Sequence, residues 1–121
     1  MNKKIVIVLI AILAIVAGSV VYAAQASHIE IKSPNSLRNG DMFNISLTAE
    51  DGSPIANEYI NITVIAASGE QNNISFKTDD KGIASFGIAG VTPGQYVFNC
   101  TFNGNSQHAM ANVAQNITIL E

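Results

Sequence analysis

The chain has 121 residues, enough for one small domain and a short targeting segment. Its formal net charge is −3, and the part after residue 26 has four Lys and Arg against nine Asp and Glu, a net −5. Such an acidic surface argues against nucleic-acid binding, because phosphates attract basic patches. A single cysteine, Cys100, excludes an internal disulfide, so the domain must depend on its apolar core.

The N-terminal segment has the composition of a secretory signal peptide. Two lysines precede an uncharged apolar run over residues 5–17, and a small-residue stretch with an Ala-x-Ala-like pattern follows it. The uncharged region 5–24 is also long enough to cross a bilayer as a hydrophobic helix of about 30 Å. Residues 1–26 are therefore predicted to be either a cleaved signal peptide or an N-terminal membrane anchor. In both cases residues 27–121 lie outside the cytoplasm.

After this leader, short segments alternate apolar and polar residues in the manner of half-buried β-strands. The predicted strands cover residues 28–33, 42–49, 58–66, 73–78, 83–88, 95–102 and 110–120. Turn chemistry separates them, most clearly in the turn region 34–40 and in the Asp- and Gly-containing clusters at 51–54 and 79–82. The chain is therefore predicted to be all-β, a seven-stranded antiparallel sandwich preceded by the N-terminal hydrophobic helix.

One face of each predicted strand is apolar and should lie between two packed sheets. On this alternation, the aromatic residues Phe76, Phe86, Tyr96 and Phe98 are all predicted to lie in the core. Burying a Phe side chain contributes about 1.5–3 kcal/mol. These four positions therefore test whether the facing of the strands is assigned correctly.

Five Asn-x-Ser/Thr sequons lie on the predicted strands, at Asn44, Asn61, Asn73, Asn99 and Asn116. Residues two apart on a strand point to the same face. Each Asn and its hydroxyl partner should therefore face solvent, while the residue between them turns inward. The five Asn residues are candidate N-glycosylation sites. The alternative is plain alternation of small polar residues with apolar ones.

No residue set in the sequence has the spacing of a catalytic or metal site. His28 and His108 each lack a Cys, Asp or Glu at metal-ligand spacing. The acidic pairs at 50–51 and 79–80 are explained by turn formation, with weak calcium binding as the alternative. Neither a nucleophile elbow nor a phosphate-binding glycine loop is present. The protein is therefore predicted to be no enzyme and to hold no cofactor or metal.

The order of turn residues in the second half of the chain resembles a known pattern. Gly-x-Pro begins at Gly52, Thr-Asp-x-x-Gly-x-Ala at Thr78, Gly-x-Tyr at Gly94 and Phe-x-Gly at Phe102. This order is similar to bacterial Ig-like domains of the invasin and intimin type, and to repeats in adhesin-like surface proteins of methanogenic archaea. Carboxypeptidase regulatory-like and Cna-B-type domains share much of it. The resemblance implies an extracellular Ig-like β-sandwich that serves as a spacer, stalk or adhesive module.

Together these features predict a non-enzymatic, exported cell-surface module for adhesion, spacing or interaction with the cell envelope. Its partner would be an envelope or extracellular macromolecule, touched through loops or sheet edges. Contact with a membrane is expected through the N-terminal segment if that segment is retained. The alternative function is a secreted accessory protein that binds carbohydrate or peptide.

Overall fold

A computed structural model of the protein describes residues 24–121. The strands, in chain order, are β1 (Ser27–Ile31), β2 (Ser36–Arg38), β3 (Met42–Ala49), β4 (Tyr59–Ala66), β5 (Gln71–Lys77), β6 (Ile83–Gly87), β7 (Gly94–Phe102) and β8 (Ala111–Leu120). Within this described range, no helix has the length and apolar character needed to span a membrane. The predicted leader lies almost wholly outside the described residues, so its two alternatives remain predictions.

The strands form two sheets with the orders β1-β3-β6 and β2-β8-β7-β4-β5. The predicted antiparallel pairing holds for the described strands with one exception, since β2 runs parallel to β8 with Leu37 opposite Ile119. The prediction of seven strands is wrong, because the described residues form eight. The additional strand is β2, which lies inside the predicted turn region 34–40. A strand of three residues with one apolar side chain is too short to show alternation.

The core lies between the two sheets and consists of alternate residues from the long strands. Its fully enclosed side chains include Phe43, Ile45, Leu47, Ile60, Ile62, Phe98, Cys100, Phe102, Ile117 and Ile119. Phe98 is 2% exposed, which confirms its predicted core position. Phe76, Phe86 and Tyr96 are only half-buried against this core, so their predicted burial is correct only in part.

A tight turn joins β5 directly to β6 and so connects the two sheets. The carboxylate of Asp79 accepts hydrogen bonds from the backbone N–H of Ile83 (2.9 Å) and of Lys81 (2.8 Å), which hold the pKa of Asp79 below its ordinary value. Gly82 has φ +75°, and a Cβ there would lie 2.6 Å from the carbonyl oxygen of Leu47. Only glycine fits at this position, which fixes the turn. The chain therefore passes from β5 to β6 without an intervening strand.

Candidate functional site

An apolar groove opens between the two sheets, along the side where β5 and β6 leave their shared turn. Its volume is about 710 Å³. The apolar side chains that line it come from β4, β5, β6, β7 and the β6–β7 connection, and include Val64, Ile74, Phe76, Phe86, Val91 and Tyr96. These side chains are half-buried and pack on the core. The groove is therefore a region where the core remains open to solvent.

The floor of the groove is a stacked pair of aromatic rings, one from each sheet. The centroids of Phe76 and Phe86 are 4.6 Å apart and the ring planes differ by 11°. Phe86 in turn packs on Phe43 at 5.3 Å, and Phe43 packs on Phe98 at 4.9 Å. Aromatic pairs contribute about 0.5–1.5 kcal/mol beyond the area they bury. This chain of rings connects the floor of the groove to the centre of the core.

The β6–β7 connection forms one wall of the groove, and side chains hold it in place. The amide of Asn39 donates to the carbonyl oxygen of Val91 (2.8 Å) and accepts from its N–H (2.9 Å). The hydroxyl of Tyr96 donates to the carbonyl oxygen of Thr92. A tyrosine at the start of a strand that bonds back to the preceding corner is typical of Ig-like sandwiches. The groove is therefore preformed rather than dependent on a mobile loop.

One rim of the groove is the unpaired edge of β6, which pairs only with β3 among the described strands. At the start of β6, the N–H of Ile83 donates to the Asp79 carboxylate and its carbonyl accepts from the Asp79 N–H, each at 2.9 Å. The backbone groups of Ile83 thus point away from β3. Because alternate residues of an antiparallel strand share this direction, the backbone groups of Ser85 and Gly87 also point away from β3. They form an edge on which a further strand can pair.

The charge of the groove is negative. Glu70, at the end of the groove next to β5, is the charged residue among the described groove-lining residues. The cations of residues 24–121 are Lys32, Arg38, Lys77 and Lys81, and none of them lines the groove. Lys77, for example, places its nitrogen 5.5 Å from the ring centroid of Tyr59. The groove thus combines an apolar floor with a single carboxylate at one end.

Three of the five sequons lie side by side on the outer face of the five-stranded sheet. The sequon at Asn61 on β4 is in register with those at Asn73 on β5 and Asn99 on β7. The hydroxyl of Ser75 donates to Asn61 Oδ1 (2.5 Å), and the hydroxyl of Thr63 donates to Asn73 Oδ1 (2.8 Å). Each Asn of this pair is therefore bonded to the hydroxyl of the neighbouring sequon, an arrangement that depends on strand register and is not visible in the sequence.

The other two sequons lie on different strands. Asn44 on β3 accepts a hydrogen bond from the hydroxyl of Ser85 (2.6 Å), and Asn116 on β8 is exposed opposite Val97. The residues between Asn and hydroxyl are fully buried in four sequons, at Ile45, Ile62, Cys100 and Ile117, and half-buried at Ile74. All five Asn residues thus lie on outer faces of the sheets. Whether any of them carries a glycan remains a prediction.

The titratable residues do not come together into a reaction centre. Across residues 24–121, no three His, Cys, Asp or Glu side chains form a group that would hold a metal ion, and His28 and His108 join no such group. The carboxylate of Asp51 accepts from the hydroxyl of Ser53 (2.6 Å) and from its N–H (3.0 Å), which lower the pKa of Asp51 and fit a turn role. Burial raises the pKa of the Cys100 thiol to about 12, so it stays protonated at neutral pH.

Comparison with known proteins gives structural neighbours only, since no family model and no curated protein matches the chain. The structure is similar to a tetra-tandem repeat in the extending region of a large adhesion protein, with a TM-score of 0.52 and 16% identity over 80% of this chain and 24% of that chain. The chain thus spans about a quarter of that neighbour.

Two further solved structures are similar to this chain. One is a CARDB domain from Pyrococcus furiosus in complex with di-metal ions, with a TM-score of 0.48 and 12% identity over 85% of this chain and 95% of that chain. The other is the D00-D0 domain of Intimin, with a TM-score of 0.44 and 17% identity over 91% of this chain and 54% of that chain. The described part of the chain is therefore an Ig-like β-sandwich, and its predicted resemblance to Ig-like surface domains is confirmed as one of fold.

Proposed function

We propose that the protein is a non-enzymatic cell-surface module that binds another macromolecule in the groove between β5 and β6. The observation that carries the proposal is the exposed core on this side, where Ile74, Phe76 and Phe86 remain open to solvent. A soluble monomer seldom leaves a preformed apolar cleft uncovered unless something binds there. The fold shared with a repeat of a large adhesion protein supports a surface role.

Export and attachment are part of the proposal. Residues 1–26 direct the domain across the membrane and are then either cleaved or retained as an anchor through the apolar stretch 5–24. The sequons face solvent on both sheets, so a glycan at any of them would leave the core intact. The proposed product is thus an exported and glycosylated Ig-like domain.

Location is tested with the full chain in its native host. Intact cells are treated with protease, the protein is followed by immunoblot, and the mass of the mature protein is measured. We expect the protease to digest the domain on intact cells while a cytoplasmic control protein survives. The mass then reports cleavage and glycans together. An undigested protein of full precursor mass inside the cells would contradict the proposal.

The role of the groove is tested by placing a cation in its floor. Ile74→Lys puts a charge among the lining residues, while Gln71→Lys puts the same charge on the opposite face of the same strand, outside any sequon. The long lysine stem lets its head reach water, so the fold should survive. Purified mature proteins are sedimented with cell envelopes from cells that lack the chain. We expect Ile74→Lys to reduce retention and Gln71→Lys to leave it unchanged. Equal retention by the two variants and the unmodified protein would contradict the groove as the contact surface.

A further inference from the structure

We infer that the groove takes an extended peptide segment with alternating apolar side chains and a basic end, which adds to the free edge of β6 as a fourth strand of the three-stranded sheet. This inference rests on the proposed function, because it names the partner of the same groove. It follows from three features of the described residues: the unpaired backbone of β6, the apolar floor beside it, and the carboxylate of Glu70 at one end.

The backbone edge determines the conformation of the partner. Ser85 and Gly87 point their N–H and C=O groups away from β3, and only an extended segment can pair with both residues at once. A helix has its own backbone groups already paired and offers none to this edge. The partner is therefore a strand, about 4.8 Å from β6 in the plane of the sheet.

The floor determines the side chains of the partner. A strand paired with β6 points every second side chain toward the five-stranded sheet, at spacings of about 6.6–6.8 Å. Those side chains meet the stacked rings of Phe76 and Phe86 and the side chain of Ile74. Apolar residues at alternate positions therefore bury the surface that the sandwich leaves open, while the positions between them face solvent.

The rim determines the charge of the partner. Glu70, at the end of the groove where β5 begins, is the charged residue among the described groove-lining residues. None of the described cations lines the groove, and the part after residue 26 has a net charge of −5. A basic residue at the end of the added strand next to Glu70 complements this carboxylate, whereas an acidic residue there is repelled.

A second copy of the chain fits the groove less well. Pairing the β6 edges of two copies would bring no cation to Glu70 from the groove of the other copy, and Ala84 and Phe86 of each copy already point toward their own core. Such a dimer would leave both grooves unfilled. A second copy is therefore the competing result in the test below.

The probe is a fluorescein-labelled peptide of nine residues in which Val alternates with Thr between two terminal lysines. Purified mature protein is titrated into it at low salt and anisotropy is recorded. We expect saturable one-to-one binding, and weaker binding of a matched peptide that ends in glutamate. Absence of saturation at millimolar protein, or equal binding of the two peptides, would overturn the inference. So would a concentration-dependent dimer, seen by ultracentrifugation, that excludes the peptide.

Charge in the rim is tested with two variants of equal net charge. Glu70→Lys reverses the carboxylate beside the groove, and Glu50→Lys makes the same change in the exposed β3–β4 turn. We expect Glu70→Lys to lower the affinity for the lysine-ended peptide by about two- to fivefold, which is the effect of losing one exposed ion pair. Glu50→Lys should change the affinity by much less. Equal losses in the two variants would show that only net charge matters and would overturn the inferred rim contact.

Strand addition is tested at Gly87. Gly87→Pro removes the outward N–H, while Gly87→Ala keeps it and adds only an ordinary contact with Met42 Sδ at 3.7 Å. We expect the proline variant to lose at least about fivefold in affinity and the alanine variant less than about twofold. Unchanged binding by a folded Gly87→Pro protein would overturn pairing at β6.

If Gly87→Pro does not fold, amide exchange in the unmodified protein decides instead. The amides of Ser85 and Gly87 should exchange at least about tenfold more slowly when the peptide is bound, and an unchanged rate at both would overturn the pairing. Failure of these peptide tests, with surface exposure and the Ile74→Lys effect intact, refutes strand addition and leaves the proposed function standing. If instead the protein is not exposed at the cell surface and Ile74→Lys does not reduce retention, both the proposed function and strand addition are refuted.

Discussion

The two long sides of the sandwich are sealed differently. On the closed side, the chain crosses from β1 to β2, which pairs with β8, and Leu37 and Ile119 are 3% and 2% exposed, although the inward side chains of β1 are half-buried. On the open side, formed by β5 and β6, a tight turn makes the connection, and Ile74 and Phe76 stay half-buried. Apolar side chains thus become core where β2 covers them, and line a groove where no described strand does.

The largest expected effect separates the core from the floor of the groove. Phe98→Ala should cost about 3–5 kcal/mol of unfolding free energy, because the residue is enclosed on all sides. Phe76→Ala should cost about 1–2 kcal/mol, since the ring is already partly in water. A domain of this size has roughly 5–15 kcal/mol in total, so only the first variant becomes marginal. Urea unfolding of both proteins tests the difference, and equal losses would mean that the open side is part of the core.

A second comparison addresses the strand that closes the sandwich. Leu37→Ala in β2 should cost about 2–4 kcal/mol, because the cavity it leaves is sealed between β2 and the core. Ile74→Ala on the open side should cost about 1 kcal/mol, because water can fill the space. The two are compared by urea unfolding. A loss below about 1 kcal/mol for Leu37→Ala would show that β2 does not seal the closed side.

The wall of the groove gives a smaller effect. Tyr96→Phe removes the hydroxyl that bonds to the Thr92 carbonyl and should cost about 0.5–1.5 kcal/mol. It should also weaken binding of the lysine-ended peptide, because the β6–β7 connection loses a fixed point. Tyr59→Phe changes an exposed ring on the outer face and should stay within about 0.5 kcal/mol. Thermal unfolding and the anisotropy titration distinguish the two variants. Equal stability and equal peptide affinity of the two variants would leave no role for the hydrogen bond between Tyr96 and Thr92.

The smallest effect is a pH dependence at the turn between β5 and β6. Hydrogen bonds from Ile83 and Lys81 hold the pKa of Asp79 below its ordinary value of 3.8, so the folded state binds fewer protons than the unfolded state. The stabilisation is present above that value and is lost as the pH falls through the lower pKa of the folded state. Asp79→Asn should flatten the acid side of the stability profile relative to the unmodified protein. An equal fall of the melting temperature with decreasing pH in the variant and in the unmodified protein would contradict this assignment.

The repeating features of the fold could be predicted from the sequence. Long strands such as Met42–Ala49 and Gly94–Phe102 alternate over several residues, which fixes both their position and their buried face. The same alternation placed the five sequons on outer faces. The order of turn residues, with Gly82 and Tyr96 among them, resembles that of Ig-like domains, and the structure shows the local constraint that each of the two residues meets.

The open side could not be predicted, because it depends on the absence of a crossing strand within residues 24–121. Phe76 and Phe86 alternate like core residues, and nothing local shows that no strand will cover them. The short strand β2 could not be predicted either. It has one buried residue, Leu37, and a strand with a single buried residue shows no alternation of apolar and polar side chains. The groove arises from strand order and from the length of one turn, which are properties of the assembled sheets.

The central claim, that the edge of β6 is free and accepts a strand, is tested most directly by amide hydrogen exchange in the mature protein. Without peptide, Ser85 and Gly87 should exchange quickly, while Ala84 and Phe86, whose N–H groups point to β3, should exchange slowly. With the lysine-ended peptide, all four amides should be slow. Slow exchange at Ser85 and Gly87 before peptide is added, or fast exchange after it is bound, would contradict the account.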